Sequence, residues 1–318
     1  MTDTAPLVSI PEAPVPANGT AEWFRGAGAY RLRAALFLPP PSVNGGKPRG
    51  SVVLSGGRSE PIEKYFEVVR ELQGRGFVVL VHDWRGQGLS QRLLSDPLKG
   101  HAHGFADFVE DYRCLLAQFE SRLPKPWVAV GHSMGGCLTL LALAHGVGDF
   151  KAAVLSAPML GLQTGKRSKR ASRALAWIMS RTKPDEYILG DPGDRHESTF
   201  ETNILTHDPK RWARNQAQVA AEPGLKLNAG TWGWLDFAFS ASAWLKRAPG
   251  VAAIPIPVVV LGAGEERLVD NADQCQITAR IPRGRWLEVA GSYHEILQET
   301  DAVRAVFWRE FDAVVAAL

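Results

Sequence analysis

A serine between glycines lies near the middle of the chain, where its hydroxyl is placed to act as a nucleophile. Residues 131–136 are Gly-His-Ser-Met-Gly-Gly, and they follow the apolar run Trp127–Gly131. A G-x-S-x-G sequence between a strand and a helix forms a tight turn that exposes the serine hydroxyl. The glycines let strand and helix approach closely, and the helix N-terminus favours developing negative charge. The pattern predicts that Ser133 is a catalytic nucleophile; the plainer interpretation is a glycine-rich turn with a capping serine.

A serine nucleophile needs a general base and an acid that orients it. In this strand–turn–helix context the chain order is serine, acid, histidine, and the histidine follows the last strand. Of the eight histidines only His294 has that position, just after the strand-like run Arg285–Val289. The acid should follow the preceding strand, where Glu265, Glu266 and Asp270 occur. Position alone leaves these three carboxylates open.

Two backbone N–H groups are expected to stabilise the oxyanion that forms when the serine attacks a carbonyl carbon. One belongs to Met134, the residue after the nucleophile, and the other to a loop after an earlier strand. The run Ser51–Gly57 ends in two glycines, and we choose the Gly57 N–H; a plain turn is the alternative. Loss of one such donor costs about 10²–10³ in rate.

Strands and helices alternate along most of the chain, and these elements must position the candidate residues. Mostly continuous apolar runs, typical of strands buried on both faces, occur at Tyr30–Leu38, Ser51–Leu54, Phe77–His82, Trp127–Gly131, Ala152–Leu155, Pro257–Gly262 and Arg285–Val289. Helical periodicity occurs at Glu60–Gly74, Gly104–Leu123, Met134–Ala144 and Thr300–Leu318. The alternation predicts an α/β fold with a mainly parallel sheet flanked by helices.

The alternation stops after Met159 and resumes near Ile256, which divides the chain. We predict an α/β core over residues 29–160 and 251–318, and a helical cap over 161–250 inserted into it. The cap is basic, with 14 lysines and arginines against 9 aspartates and glutamates. Residues 1–28 contain four prolines within the first 20 and lack a signal-peptide pattern, so we expect a disordered leader.

Composition narrows the classes of partner and compartment. The net charge is only +3, and no nucleic-acid signature or metal-ligand spacing occurs, so we expect neither nucleic acid nor metal. Three cysteines without paired spacing favour a reducing cytoplasm. No apolar stretch reaches the roughly 18 residues that a transmembrane helix requires.

One motif carries a family resemblance. Residues 83–90 are Asp-Trp-Arg-Gly-Gln-Gly-Leu-Ser, a D-x-R-G-x-G-x-S pattern two strands before Gly-His-Ser-Met-Gly-Gly. The sequence resembles the monoacylglycerol lipase and lysophospholipase group of α/β-hydrolases, most of all bacterial lysophospholipases, over about residues 28 to 315. The resemblance implies an α/β-hydrolase fold with a cap and hydrolysis of carboxylic esters without a cofactor. One departure is Ser55-Gly56, where the group usually has His-Gly.

The resemblance also orders the candidate acids. Family members often carry G-x-x-D-R-[IV]-V after the penultimate strand, and Glu266 stands where that aspartate would be. Glu266 is therefore the predicted acid, ahead of Asp270 and Glu265. We assign Asp83 and Arg85 a structural role as a buried ion pair that braces their loop.

The cap suggests what the substrate is. Five cations, Lys166, Arg167, Lys169, Arg170 and Arg173, precede the apolar run Ala174–Met179. This combination suits an anionic membrane surface or a lipid phosphate, although a solvated helix face is the plainer interpretation. Trp232, Trp234 and Phe237, with Phe239 and Trp244 nearby, are expected either to line an acyl-chain tunnel or to form the core of the cap.

These observations favour a serine hydrolase that cleaves lipid esters, of the lysophospholipase or monoacylglycerol lipase type, through an acyl-enzyme on Ser133. We expect it in the cytoplasm, in peripheral contact with the anionic inner face of a membrane. The alternatives are a small-ester esterase or lactonase on the same scaffold and a binding module without catalysis, because a fold does not determine a function.

Overall fold

The computed structural model describes residues 3–188 and 199–318, and an eight-stranded sheet runs through their centre. The strands are β1 (Gly19–Arg25), β2 (Arg31–Phe37), β3 (Gly50–Ser55), β4 (Phe77–His82), β5 (Trp127–His132), β6 (Phe150–Ser156), β7 (Val258–Ala263) and β8 (Gly284–Val289). Their order in the sheet is β1-β2-β4-β3-β5-β6-β7-β8. β2 pairs antiparallel with β1 and β4, and the other pairs are parallel.

Helices cover both faces of this sheet. The described residues form α1 (Phe66–Gly74), α2 (Ala106–Phe119), α3 (Ser133–Ala144), α4 (Lys169–Thr182), α5 (Pro209–Ala221), α6 (Trp232–Leu245), α7 (Pro249–Ala252), α8 (Asn271–Thr278) and α9 (Asp301–Ala316). Apolar side chains of α1 and α9 belong to one buried cluster, and those of α2 and α3 belong to another. Every residue of β3, β4, β5 and β7 is buried, as continuous apolar strands require. The predicted fold class is confirmed.

The N-terminal residues differ from the expected disordered leader over 1–28. Residues Gly19–Arg25 form β1, which pairs with β2 along its whole length, and Ile10 and Ala13 are buried. Thr4 also forms a β-bridge with Glu22. The four prolines suggested disorder, but the unpaired edge of β2 supplies a backbone partner that local composition does not reveal.

The segment between β6 and β7 is helical in its described part, with α4 to α7 and no strand of the sheet. Residues 189–198 of this segment lie outside the described residues. α4 packs against α6, and the buried face of α6, including Phe237 and Leu245, joins the α2–α3 side of the core. The helical character agrees with the sequence, and the boundaries of a cap at 161–250 stay a prediction.

The parallel strands bring the candidate residues to one edge of the sheet. The loops after β3, β5, β7 and β8 carry Gly57, Ser133, Glu266 and His294, respectively. Ligands of open α/β sheets bind at the carboxyl ends of the strands, because these ends meet at one edge. The topology therefore gathers side chains that are far apart in sequence.

Candidate active site

Ser133 occupies a strained turn between β5 and α3. Its φ is +50°, a left-handed conformation that costs energy for a residue with a side chain. Gly135 permits the turn, since a Cβ there would lie 2.3 Å from the carbonyl oxygens of Ser55 and Gly56. The strained turn holds the Ser133 side chain at the mouth of a cavity, at the N-terminus of a buried helix.

The structure brings Ser133, His294 and Glu266 together in a hydrogen-bonded chain. The Ser133 Oγ lies 2.8 Å from His294 Nε2, and His294 Nδ1 lies 2.7 Å from Glu266 Oε2. With Nδ1–H donating to the carboxylate, Nε2 is free to accept the serine proton. The second oxygen, Glu266 Oε1, accepts the backbone N–H of Leu268 at 2.8 Å, so the carboxylate is held at both oxygens.

The two other candidate acids lie elsewhere. Asp270 accepts the Asp273 N–H at the start of α8 and pairs with Lys169 at 2.5 Å. Glu265 is half-exposed, and its Oε2 lies 3.8 Å from His207 Nε2. Of the three carboxylates left open by position, only Glu266 contacts His294.

The environment shifts the pKa of the base and of its carboxylate in opposite directions. Burial disfavours the protonated imidazole, but the hydrogen bond and the charge of Glu266 outweigh it and raise the pKa of His294 above 6.5. Burial also works against ionisation of Glu266, yet His294 and the backbone N–H groups of Leu268 and Val269 lower the pKa of that carboxyl. The lowered pKa favours the anionic form of Glu266 beside the His294 ring.

The backbone N–H groups of the two predicted oxyanion donors, Met134 and Gly57, differ in their surroundings. Met134 lies in the first turn of α3, where backbone N–H groups have no acceptor within the helix. Gly57 lies beside Ser133, since a Cβ on Gly57 would approach Ser133 Cβ to 3.0 Å. However, the Gly57 N–H donates to Glu60 Oε2 at 2.5 Å. A buried N–H needs an acceptor, and the carboxylate three residues along the chain supplies it.

Sequence reasoning missed a buried charge network at this site. Lys64 Nζ lies 2.7 Å from Glu60 Oε1 and 2.6 Å from Glu295 Oε1. Burial disfavours the ionised carboxyl of Glu60, but Lys64 outweighs it and lowers its pKa to about 2. Glu60 and Lys64 stand four residues apart in a predicted helical stretch, and that spacing was the available signal.

A cavity of about 350 Å³ opens over Ser133 and His294. Its lining includes the apolar side chains of Leu162, Ile188, Leu205, Leu227, Trp234 and Leu268, and the polar side chains of Glu60, Lys64, Arg211, Asn215, Gln216 and Gln298. This size falls in the usual range for small-molecule sites, about 300–1,000 Å³.

Only one of the three aromatic residues predicted to bind substrate lies on this cavity. Trp234 lines it. Phe237 is 2% exposed and packs against Phe108 in the core, with ring centroids 5.2 Å apart. Trp232 is buried as the first residue of α6 and is not part of the cavity wall. Trp232 at the start of α6 and Phe237 against Phe108 of α2 therefore form part of the packing instead.

The expected ion pair between Asp83 and Arg85 needs correction. Asp83 and Arg85 are both buried in ion pairs, but not with each other: Asp83 pairs with Arg33 at 2.7 Å, and Arg85 pairs with Asp111 at 2.5 Å. Side chains two apart in a loop point in different directions, so each finds its partner in another element.

Neither a metal site nor a membrane span emerges from the described residues. Across residues 3–188 and 199–318, no group of three or more His, Cys, Asp or Glu side chains is placed to hold a metal ion. None of the helices in these ranges has the length and apolar character that crossing a bilayer requires.

Comparison with known proteins gives the family. The family described as serine aminopeptidase, S33, matches residues 46–301. Lysophospholipase L2 of Escherichia coli is 36% identical over 266 residues, which are 80% of this chain and 77% of that protein. The monoacylglycerol lipase of Mycolicibacterium smegmatis is 27% identical over 285 residues, which are 87% and 91% of the two chains.

A solved structure adds the fold. A soluble variant of monoglyceride lipase from Saccharomyces cerevisiae superposes with a TM-score of 0.72 at 19% identity, covering 98% of both chains. At that identity the structural similarity shows the fold alone, and the family membership rests on the sequence matches. This protein belongs to the monoacylglycerol lipase and lysophospholipase family of α/β-hydrolases.

Proposed function

We propose that this protein hydrolyses the carboxylic ester of single-chain lipids through an acyl-enzyme on Ser133. As a member of its family, the protein is a carboxylic ester hydrolase. The observation that carries the assignment of residues is the hydrogen-bonded chain from Ser133 Oγ through His294 to Glu266. It lies at an edge of the sheet where a cavity gives a substrate access.

Ser133, His294 and Glu266 each have one task in the proposed reaction. His294 Nε2 takes the hydroxyl proton as Ser133 Oγ attacks the ester carbonyl carbon, and Glu266 stabilises the imidazolium that results. The tetrahedral intermediate collapses, the ester C–O bond breaks, and His294 returns the proton to the leaving alcohol. Water, deprotonated by His294, then attacks the acyl carbon. The bond to Ser133 Oγ breaks, His294 returns the proton to that oxygen, and the fatty acid is released.

The oxyanion is stabilised by donors fixed before reaction. The Met134 N–H has the position for this task at the start of α3, where the helix dipole adds to it. Gly57 serves as the second donor when the ester oxygen takes the place of the Glu60 carboxylate at its N–H. The charge of Glu60 is offset by Lys64 at 2.7 Å, which limits its repulsion of the oxyanion.

The cavity supports a substrate with one acyl chain and a polar group. Its apolar lining residues suit an acyl chain, and its polar lining residues suit the glycerol portion of a single-chain lipid. The relatives named lysophospholipase and monoacylglycerol lipase support the same class of substrate. The amide side chains of Asn215 and Gln216 face the cavity and offer donors and acceptors for hydroxyl groups.

We further propose peripheral contact with a bilayer through α4. Trp177 and Ile178 on this helix are 52% and 51% exposed, and Leu175 is 39% exposed. The Arg181 guanidinium lies 3.9 Å from the Trp177 ring centroid, on the exposed side. An amphipathic helix that presents tryptophan and arginine to solvent is suited to the interface between headgroups and acyl chains.

The proposed function is tested by comparing ester chain lengths and lipid classes. The purified protein would be assayed on p-nitrophenyl esters from short to long acyl chains and on a lipid panel read by mass spectrometry. We expect fatty acid release from lysophospholipid or monoacylglycerol and a preference for longer chains. Turnover of short esters or lactones alone would show a small-ester enzyme, and no turnover with Ser133 unlabelled would show a binding module.

A further inference from the structure

A second cleft lies between α4 and α6, apart from the site described above. It has a volume of about 210 Å³. Its walls include Leu162, Lys169, Arg173, Phe239, Arg247 and Asp273, and we call it the α4–α6 cleft. Leu162 also lines the cavity over Ser133, so the cleft and the cavity share a wall.

The cations of this cleft fall into two groups. Lys169 and Lys246 lie 3.0 Å and 2.6 Å from the carboxylate of Asp273, and Lys169 also pairs with Asp270. The remaining three are the guanidinium groups of Arg170, Arg173 and Arg247, for which the described residues offer no ion pair.

The positive charge of the cleft is therefore only partly balanced. One carboxylate in its wall and one behind Lys169 face five cations. Like charges held together repel each other, and an anion between them relieves that repulsion. Arginine forks match the oxygens of a phosphate with two parallel hydrogen bonds.

We propose that the α4–α6 cleft binds the phosphate of an anionic phospholipid in the bilayer, at a place separate from the substrate. The positive charge of the cleft favours a phosphate group as its ligand. The apolar lining residues Leu162, Phe239 and Ala243 accept the first carbons of a lipid chain.

The exposed face of α4 beside the cleft favours a phospholipid of a bilayer over inorganic phosphate as the ligand. Arg170, Arg173, Trp177 and Arg181 follow one another at intervals of three or four residues, so they share one face of α4. A phosphate held by the first two arginines therefore lies along the same helix face as the exposed indole of Trp177. The inference rests on the proposed membrane contact, to which it adds a defined lipid site.

The test uses vesicle binding by the full chain carrying Ser133→Ala, so that no lipid is consumed. Binding to phosphatidylcholine vesicles with and without phosphatidylglycerol would be measured by co-sedimentation at physiological ionic strength. We expect Arg173→Gln with Arg247→Gln to weaken binding to the anionic vesicles about tenfold or more, since both guanidinium groups donate hydrogen bonds directly to the bound phosphate.

Two matched variants distinguish binding at a defined site from general attraction to a basic surface. Lys166→Gln with Arg167→Gln removes the same charge from the same basic run but outside the cleft walls. It should weaken binding less than about threefold, because screening reduces unspecific attraction. Arg173→Lys with Arg247→Lys keeps the charge but removes the planar forks, and it should lose a large part of the affinity. Equal losses in both Gln pairs, or full affinity in the Lys pair, would overturn the proposal.

Inorganic phosphate distinguishes the two sources of the anion. If it binds the parent protein and not the cleft variant, while anionic vesicles bind both proteins alike, the cleft serves phosphate in solution and the bilayer assignment fails. Circular dichroism and the melting temperature of each variant establish that it is folded. Turnover of a short soluble ester by the chain with intact Ser133 reports on the proposed function separately, since it involves no vesicle.

Discussion

Two regions of this protein reverse the usual distribution of side chains, and they do so in opposite senses. At the edge of the sheet, the charged Glu60, Lys64, Glu266 and Glu295 are almost fully buried beside Ser133. On α4, large apolar side chains such as Trp177 are exposed. Buried polar groups and exposed apolar surfaces are the informative exceptions to ordinary burial. The first region suits catalysis in a site shielded from water, and the second suits contact with the apolar part of a bilayer.

The regions also differ in how they are held. Ser133 and the buried charged groups come from the segments after β3, β5, β7 and β8. Each has a partner within hydrogen-bonding distance, so their geometry is set before a substrate arrives. The apolar face of α4 has no such partners among the described residues, since only Ala176 of this helix is buried. The first region should therefore respond to single substitutions by orders of magnitude, and the second by small factors.

The largest expected effect concerns the nucleophile. Ser133→Ala should lower kcat by up to about 10⁶, because the remaining rate comes only from binding and oxyanion stabilisation. A fluorophosphonate should label the parent protein once, at Ser133, and intact-mass spectrometry would follow the labelling. Attachment to a different serine would show that the buried region is not the reacting centre.

Next in size is the carboxylate that contacts His294. Glu266→Gln should lower kcat by about 10²–10⁴ while the fold stays intact, because the imidazole loses its orienting charge. Asp270→Asn is the matched control, since Asp270 caps α8 and pairs with Lys169 instead. Steady-state kinetics on a soluble ester would compare the two variants. A larger loss of kcat in the Asp270 variant would show that Asp270, and not Glu266, is the acid.

A pH profile examines the same pair without changing the chain. His294 acts as a base only when neutral, and its pKa is raised above 6.5. The rate constant kcat/KM should therefore fall as the pH drops through an apparent pKa above 6.5, about tenfold per unit at lower pH. Glu266→Gln removes the charge that raises this pKa, so its residual activity should show the acid limb at lower pH. An identical limb in both proteins would mean that another group controls the rate.

In the buried region, the sequence located the three members of the hydrogen-bonded chain from Ser133 to Glu266 but not the charge network beside it. Ser133 and His294 could be located because the chain order and strand positions of this fold leave few choices, and Glu266 followed from a motif. The hydrogen bond between Gly57 and Glu60 could not be predicted, since it depends on how a loop folds back upon itself. The packing of Phe237 and the pairing of β1 likewise depend on partners that are distant in sequence.

For α4, the prediction from sequence was limited by a different uncertainty, namely which of its residues are exposed. The five cations and the neighbouring tryptophan were visible in the sequence, but an apolar helical turn is as compatible with a buried face as with an exposed one. Only the structure separates Ala176, which is buried, from Trp177 and Ile178, which are about half exposed.

The smallest expected effect falls on this exposed face. Trp177→Ala should slow turnover of a vesicle-presented single-chain lipid by about fivefold, because burying half of such a side chain is worth roughly 1 kcal/mol. The loss should be greater than that on a short soluble ester, since the residue lies outside the cavity over Ser133. Stability should change little, because a half-exposed side chain contributes little to the core.

Leu38→Ala is the control for this prediction. Leu38 is exposed to a similar degree, 47%, but follows β2 on the sheet domain rather than lying on α4. If any exposed apolar residue promotes lipid contact, both variants should slow the vesicle reaction equally, and the distinction between the two regions would fail. If α4 faces the bilayer, only Trp177→Ala should slow it, and added salt should not remove the effect because apolar contact is not screened.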